Sequence, residues 1–110
     1  MMNMQIFSSC IDACYRCAVA CDYCSAACLA EDDVAMMADC IRADLDCAQI
    51  CRLAASAMAR NSDSAKIICK LCATLCKKCG DICAQHSHDH CQECARACRL
   101  CEEECRKMAA

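Results

Sequence analysis

The chain has 110 residues and a formal charge of −3, with no Pro, one Gly, two Tyr, one Phe and no Trp. That length allows one domain with one core, and the shortage of Gly, Pro and aromatic residues beside abundant Ala predicts an all-helical protein with few loops. Basic and acidic side chains are interspersed, so neither a basic stripe nor a base-stacking platform marks a nucleic-acid surface, and no apolar run reaches the roughly 18 residues of a membrane span.

The first predicted helix covers 3–30. Within it Cys10, Cys14, Cys17, Cys21, Cys24 and Cys28 recur at steps of 4, 3, 4, 3 and 4. At about 100° per residue, all six thiols fall within roughly 80° of one face. The usual occupant of such a stripe is Leu or Ile facing a core; here it is a soft metal ligand. Ile6 and Phe7 begin the same stripe, Asp12, Arg16 and Asp22 lie on the outer face, and Ile11, Tyr15, Val19 and Tyr23 lie off it. The opening MMNMQIFSSCIDACYRC has no basic n-region, long apolar segment or small-residue cleavage site, so the cytoplasm is the expected compartment.

Glu31, Asp32 and Asp33 mark the first turn, where Asp32 or Asp33 can cap the next helix. That helix is predicted over 34–60. Its inward stripe is Met36/Met37, Cys40, Asp44, Cys47, Cys51, Ala54/Ala55 and Met58, with Asp44 standing where the spacing calls for Cys. Such an acid is expected to face a gap, solvent or a Lys. Residues 61–64 (Asn-Ser-Asp-Ser) form the second turn. The third helix, 64–85, carries Cys69, Cys72, Cys76, Cys79 and Cys83, with Gly80 in its interior. A mid-helix Gly costs roughly 1 kcal/mol against Ala, and either permits a close helix contact or is merely tolerated. His86, His88 and His90 flank the third turn, where Ser87 or Asp89 can cap, and the fourth helix, 90–107, carries Cys91, Cys94, Cys98, Cys101 and Cys105.

Short connections make sequential helices antiparallel. The fold expected is therefore a single antiparallel up-down four-helix bundle with a Cys-lined core. The 18 residues from Cys10 to Cys28 rise about 27 Å, so a sulfur column would run along much of the bundle's length.

Nineteen Cys require an explanation. A disulfide framework belongs to oxidising compartments, the count is odd, and i,i+3 or i,i+4 neighbours on a helix bridge only with strain. Six CxxC pairs occur. Zinc sites place CxxC on turns and close with four ligands, the iron–sulfur run CxxCxxC with a following C-P is absent, and no βαβ pattern frames a thioredoxin-like motif. Cu(I) fits best: it is soft and takes two or three thiolates. Two sulfurs spanning one ion stand about 4.5 Å apart, twice a metal–sulfur bond of roughly 2.3 Å. Burying thiolates alone would be prohibitive, but one Cu(I) per thiolate cancels the charge, and loading should release about one proton per thiol. Cys as plain core filler would leave a loosely packed interior. Zinc or cadmium sequestration and an iron–sulfur redox protein are the competing readings, separated by metal competition and by acid-labile sulfide. No Ser/His/Asp constellation or phosphate loop points to an enzyme.

These Cys columns on all four helices resemble the copper storage protein family, in its cytosolic type without an export signal. The resemblance covers nearly the whole chain. It implies a bacterial protein that binds many Cu(I) ions along the axis through Cys10 to Cys105, and a homotetramer of bundles. The departure is the second helix, with only Cys40, Cys47 and Cys51 and with Asp44 in register.

Antiparallel order gathers Met36, Met37, His86, His88 and His90 near Cys28, Cys83 and Cys91 at one end. It gathers Ile6, Phe7, Ala54, Met58, Ile68 and Met108 at the other. The first end is expected to be the copper entrance, with His86, His90, Met36 and Met37 as weaker ligands suited to a gateway, and the second an apolar plug. Ile50, Leu53, Leu71, Leu75, Ile82 and Leu100 lie off the sulfur stripe, where they complete the bundle's flanks or form subunit contacts; flanks are expected for most.

Overall fold

A computed structural model describes the backbone of residues 2–110 and side chains from Phe7 onward; the side chain of Ile6, expected at the apolar end, lies outside the described residues. Four helices follow in order: α1 (Met2–Leu29), α2 (Ala38–Ala59), α3 (Ala65–Cys83) and α4 (Asp89–Ala109), with a 3₁₀ turn at Val34–Met37 leading into α2. There is no strand among the described residues. Helix α1 packs on α2 and α4, and α3 packs on the same two. Sequence neighbours are thus space neighbours, and the result is an up-down bundle of 48 × 19 × 18 Å. None of the helices is long and apolar enough to cross a membrane.

The boundaries have local causes. Helix α2 ends in a left-handed residue, Asn61 at φ 54°. Around it Ser62 N–H bonds Ala57 O at 2.9 Å and Asn61 N–H bonds Met58 O at 3.0 Å. This is the paired 6→1 and 5→2 closure that satisfies a helix's last carbonyls. The caps expected at the other turns are not made. Asp33 precedes the 3₁₀ turn and His88 precedes α4, but neither side chain accepts a capping hydrogen bond. Asp89, expected as a cap, is instead the first residue of α4, where its negative charge lies against the helix's positive end.

The 3₁₀ turn also separates the two methionines. At about 120° per residue, adjacent side chains diverge. Met37 is fully buried and Met36 is 75% exposed, so only one of the pair joins the core.

Two kinds of small residue let the helices close on a core of thiols. Ala13, Ala18, Ala48, Ala73 and Ala95 are buried beside the Cys stripes. Gly80 on α3 faces α4, where a Cβ would stand 3.2 Å from Cys98 Cβ and 3.7 Å from the Ala95 carbonyl. Its absence permits the close contact; mere tolerance is the wrong reading. The other apolar side chains divide. Ile50 is buried, Leu75, Ile68 and Ile82 are half-buried against the core, and Leu53, Leu71 and Leu100 are about half exposed. The flanks are therefore only partly covered within one bundle.

Candidate metal centre

The 3–4 spacing turns every Cys inward. All nineteen are free thiols, and all are buried. Within helices, the thiol–thiol hydrogen bonds all join i,i+4 neighbours, such as Cys17 with Cys21 at 3.9 Å, Cys24 with Cys28 at 3.8 Å and Cys72 with Cys76 at 3.8 Å. The conspicuous CxxC pairs are not the ones joined. Residue i+4 lies about 40° round the helix from i, and i+3 about 60°, so the CxxxC step brings sulfurs closer in azimuth.

Between helices the contacts form an unbroken thread. Starting at one end, Cys10 meets Cys105 at 3.7 Å, Cys105 meets Cys14 at 3.7 Å, and Cys14 meets Cys101 at 3.6 Å. Cys101 meets Cys51 at 3.8 Å, and Cys51 meets Cys76 at 3.7 Å. Cys47 then links Cys76 at 3.7 Å to Cys17 at 3.8 Å. Cys17 meets Cys98 at 3.7 Å, Cys98 meets Cys21 at 3.9 Å, and Cys21 meets Cys94 at 3.6 Å. Diagonal pairs such as Cys21 and Cys79 at 4.0 Å close the square across its centre.

The sulfurs also group in fours. Cys17, Cys21, Cys47 and Cys98 lie within 4.8 Å of one another, as do Cys14, Cys72, Cys101 and Cys105, and Cys24, Cys28, Cys40 and Cys91. A span of about 4.5 Å is what two thiolates on one ion require, given a metal–sulfur bond of roughly 2.3 Å. The donor set is almost purely soft and its spacing suits metal bridging without large rearrangement.

Asp44 occupies the Cys register of α2 and is fully buried. It faces neither a gap, nor solvent, nor a Lys. The thiols of Cys79, Cys94 and Cys83 donate to Oδ1 at 3.2, 3.2 and 3.3 Å, and Cys40 donates to Oδ2 at 3.8 Å. Thiols are weak donors, but several together satisfy the carboxylate. Burial pushes its carboxyl up to about 8. The column therefore contains one hard oxygen donor in a run of sulfur. The break in the 4-3-4 series of Cys marked the position, but its partners come from α3 and α4 and no local pattern names them.

The two ends differ in chemistry. At the end holding the α1–α2 and α3–α4 turns, His90 Nδ1 lies 3.4 Å from Cys24, 3.6 Å from Cys91 and 3.9 Å from Cys28. Burial pushes the Cys28 thiol up to about 11 and the Cys91 thiol higher than its ordinary value; both are protonated in the metal-free protein at neutral pH. His88 stacks on His90, with ring centroids 5.3 Å apart and planes 5° from parallel. His86 is half-buried; its backbone N–H donates to Cys83 O and its carbonyl accepts from Gln92 Nε2. Met37 is buried at this end of α2, while Met36 stands on the solvent side. Of the four weaker ligands expected at the entrance, His90 has its ring nitrogen against three Cys sulfurs. Glu31 and His88, which the sequence reading did not select as site residues, are its partners. At the opposite end Phe7, Met58, Ala65, Lys66, Cys69 and Met108 line a cavity of about 40 Å³. This end is mostly apolar and nearly closed.

The chain matches the family described as copper storage protein over residues 3–110. It is 49% identical to the cysteine-rich protein YhjQ of Bacillus subtilis (strain 168), over 96% of this chain and 98% of that protein. Copper storage protein 3 of Bacillus subtilis has been solved in two states. The metal-free form is 48% identical, with TM-score 0.88 over 94% of this chain and 99% of its own. The Cu(I)-bound form is 49% identical, with TM-score 0.91 over 94% and 98%. A cytosolic copper storage protein of Streptomyces lividans holding five coppers is 40% identical, with TM-score 0.93 over 98% of this chain and 95% of that one.

Proposed function

The chain belongs to the copper storage protein family, and from that premise we propose how its parts divide the work of holding copper. The function is high-capacity storage of Cu(I) on the Cys thiolates of the bundle core. One observation carries it: nineteen buried free thiols, with a thread of sulfur contacts passing from helix to helix between Cys10 and Cys94 and overlapping groups of four at metal-bridging distances. Each ion that enters replaces thiol protons, and its charge offsets the thiolate that would otherwise be prohibitively costly to bury. Bridging lets one sulfur serve two ions, so capacity scales with the column and not with isolated four-ligand sites.

The ligands are the nineteen Cys from Cys10 to Cys105, with His90 at one end. That end is the mouth. Its support is the imidazole set among Cys24, Cys28 and Cys91, a mixed N and S site that holds Cu(I) less firmly than an all-thiolate cluster. Met37 and His86 belong to its surroundings. The mostly apolar opposite end is the plug. The protein works without catalysis, in the cytoplasm, as a homotetramer. For assembly, the support is a groove of about 700 Å³ between α1 and α4, lined by Tyr15, Val19, Tyr23 and Leu100, side chains that are 48–68% exposed in the single chain. Sedimentation equilibrium of the metal-free protein tests this, and a monomer mass would end it.

The function itself is tested by anaerobic titration of the reduced protein with Cu(I) in competition with a strong chelator. Saturation well above four ions per chain is expected. A plateau at one or two ions would mark a transfer protein instead, and preference for zinc over Cu(I) would refute the assignment.

A further inference from the structure

Glu31 lies in the turn after α1, beside two imidazoles. Its Oε2 is 2.8 Å from His90 Nε2 and 3.4 Å from His88 Nδ1. The other His88 nitrogen, Nε2, is 3.2 Å from Asp33 Oδ1. A carboxylate only accepts, so His90 Nε2 must donate. A neutral imidazole has a single N–H. With that proton committed to Glu31, Nδ1 carries the lone pair, and Nδ1 is the atom facing Cys24, Cys91 and Cys28. The opposite tautomer would set a lone pair against a carboxylate oxygen at 2.8 Å and turn an N–H toward the sulfurs. His88, stacked nearly parallel on His90, blocks rotation of the ring on one side. The His90 side chain is only 11% exposed, so little water competes for Nε2.

We propose that Glu31 is a positioning residue for copper uptake: it fixes His90 in the tautomer whose Nδ1 lone pair points at the mouth thiols, so that an arriving ion meets a ligand already oriented. The role rests on the mouth reading above. Carboxylate–imidazole pairs of this kind set ring orientation and raise ligand basicity, and losing the partner costs roughly 10- to 100-fold in metal affinity or activity. Glu31 has no hydrogen bond to a thiol among the described residues, so its influence on copper runs through the ring.

Two measurements on the full chain test this. In the metal-free, reduced protein at about pH 8, where an ordinary imidazole is neutral, long-range nitrogen–proton NMR should show His90 in the Nε2–H form, and Glu31→Ala should yield a tautomer mixture. In anaerobic stopped-flow, with Cu(I) supplied from a weak chelator, Glu31→Ala should slow uptake about tenfold. His90→Ala should slow it at least as much, and the double variant no more than His90→Ala alone. An Nδ1–H tautomer in the parent protein would overturn the proposal. So would a Glu31→Ala effect that persists undiminished without His90, since that is the behaviour of a charge attracting cations. If His90→Ala loads at the parent rate, the mouth reading falls and Glu31's role in loading falls with it; the tautomer result still tells the two failures apart.

Discussion

A buried acid among thiols makes stability depend on pH in an unusual direction. Asp44 has its carboxyl raised from 3.8 to about 8, chiefly by burial. The native state therefore holds this proton more tightly than the unfolded chain does. Between those two values the folded protein binds more protons, so unfolding free energy falls as pH rises. The contribution is fully present below about pH 4 and is lost by about pH 8, a change on the order of a few kcal/mol. The nineteen thiols of the unfolded chain begin to ionise as pH nears about 8 and add a decline of the same sign there, so the Asp44 effect is read below about pH 7. Urea unfolding of the reduced, metal-free protein at intervals from pH 5 to about 7 should show this decline, and Asp44→Asn, similar in shape without the charge, should flatten it. A parent protein with constant stability across the window would mean that Asp44 stays ionised at no cost.

The helices make a related point about what local pattern can and cannot reveal. The stripes of Cys10–Cys28 and Cys91–Cys105 were readable because a period of 3.6 survives any choice of side chain, and short polar turns left few arrangements for four helices. The cap positions were not readable. Asp33 and Asp89 have suitable chemistry, but which residue caps depends on the path into each helix, and a 3₁₀ turn intervenes before α2. The same turn separates Met36 from Met37, which sequence alone treats as interchangeable. Gly80 was ambiguous for another reason: its value lies in what stands opposite, and Cys98 is eighteen residues away on α4. That contact decides the sign of a substitution. On an exposed helix surface Gly→Ala gains about 1 kcal/mol. Here the new Cβ meets Cys98 Cβ at 3.2 Å, an atom fixed to the α4 backbone, and overpacking of this kind costs about 1–3 kcal/mol. Gly80→Ala should therefore lower the stability of the metal-free protein by up to about 2 kcal/mol, seen as a lower denaturation midpoint at unchanged slope. A rise in stability would show that α3 and α4 can separate freely.

At the scale of the whole molecule, storage poses an electrostatic problem that the column solves. A rod 48 Å long and 19 Å wide has no room for solvent around its nineteen buried sulfurs. If loading left thiolates in excess of metal, the interior would gather negative charge in a low-dielectric medium, at several kcal/mol per unpaired group. One Cu(I) in for each proton out avoids this at every stage of filling. The formal charge of −3 would then be the same for the empty and the loaded chain. Native mass spectrometry of a stepwise Cu(I) titration should show each added ion accompanied by loss of one proton, and native electrophoresis should show the same mobility throughout. Loaded protein should also resist heat far better, since a ligand held only by the native state stabilises it by mass action. Mobility drifting toward the anode with loading would reveal uncompensated thiolates inside the bundle. Drift toward the cathode would place part of the copper outside the column, on neutral ligands or surface carboxylates, where no thiol proton is given up.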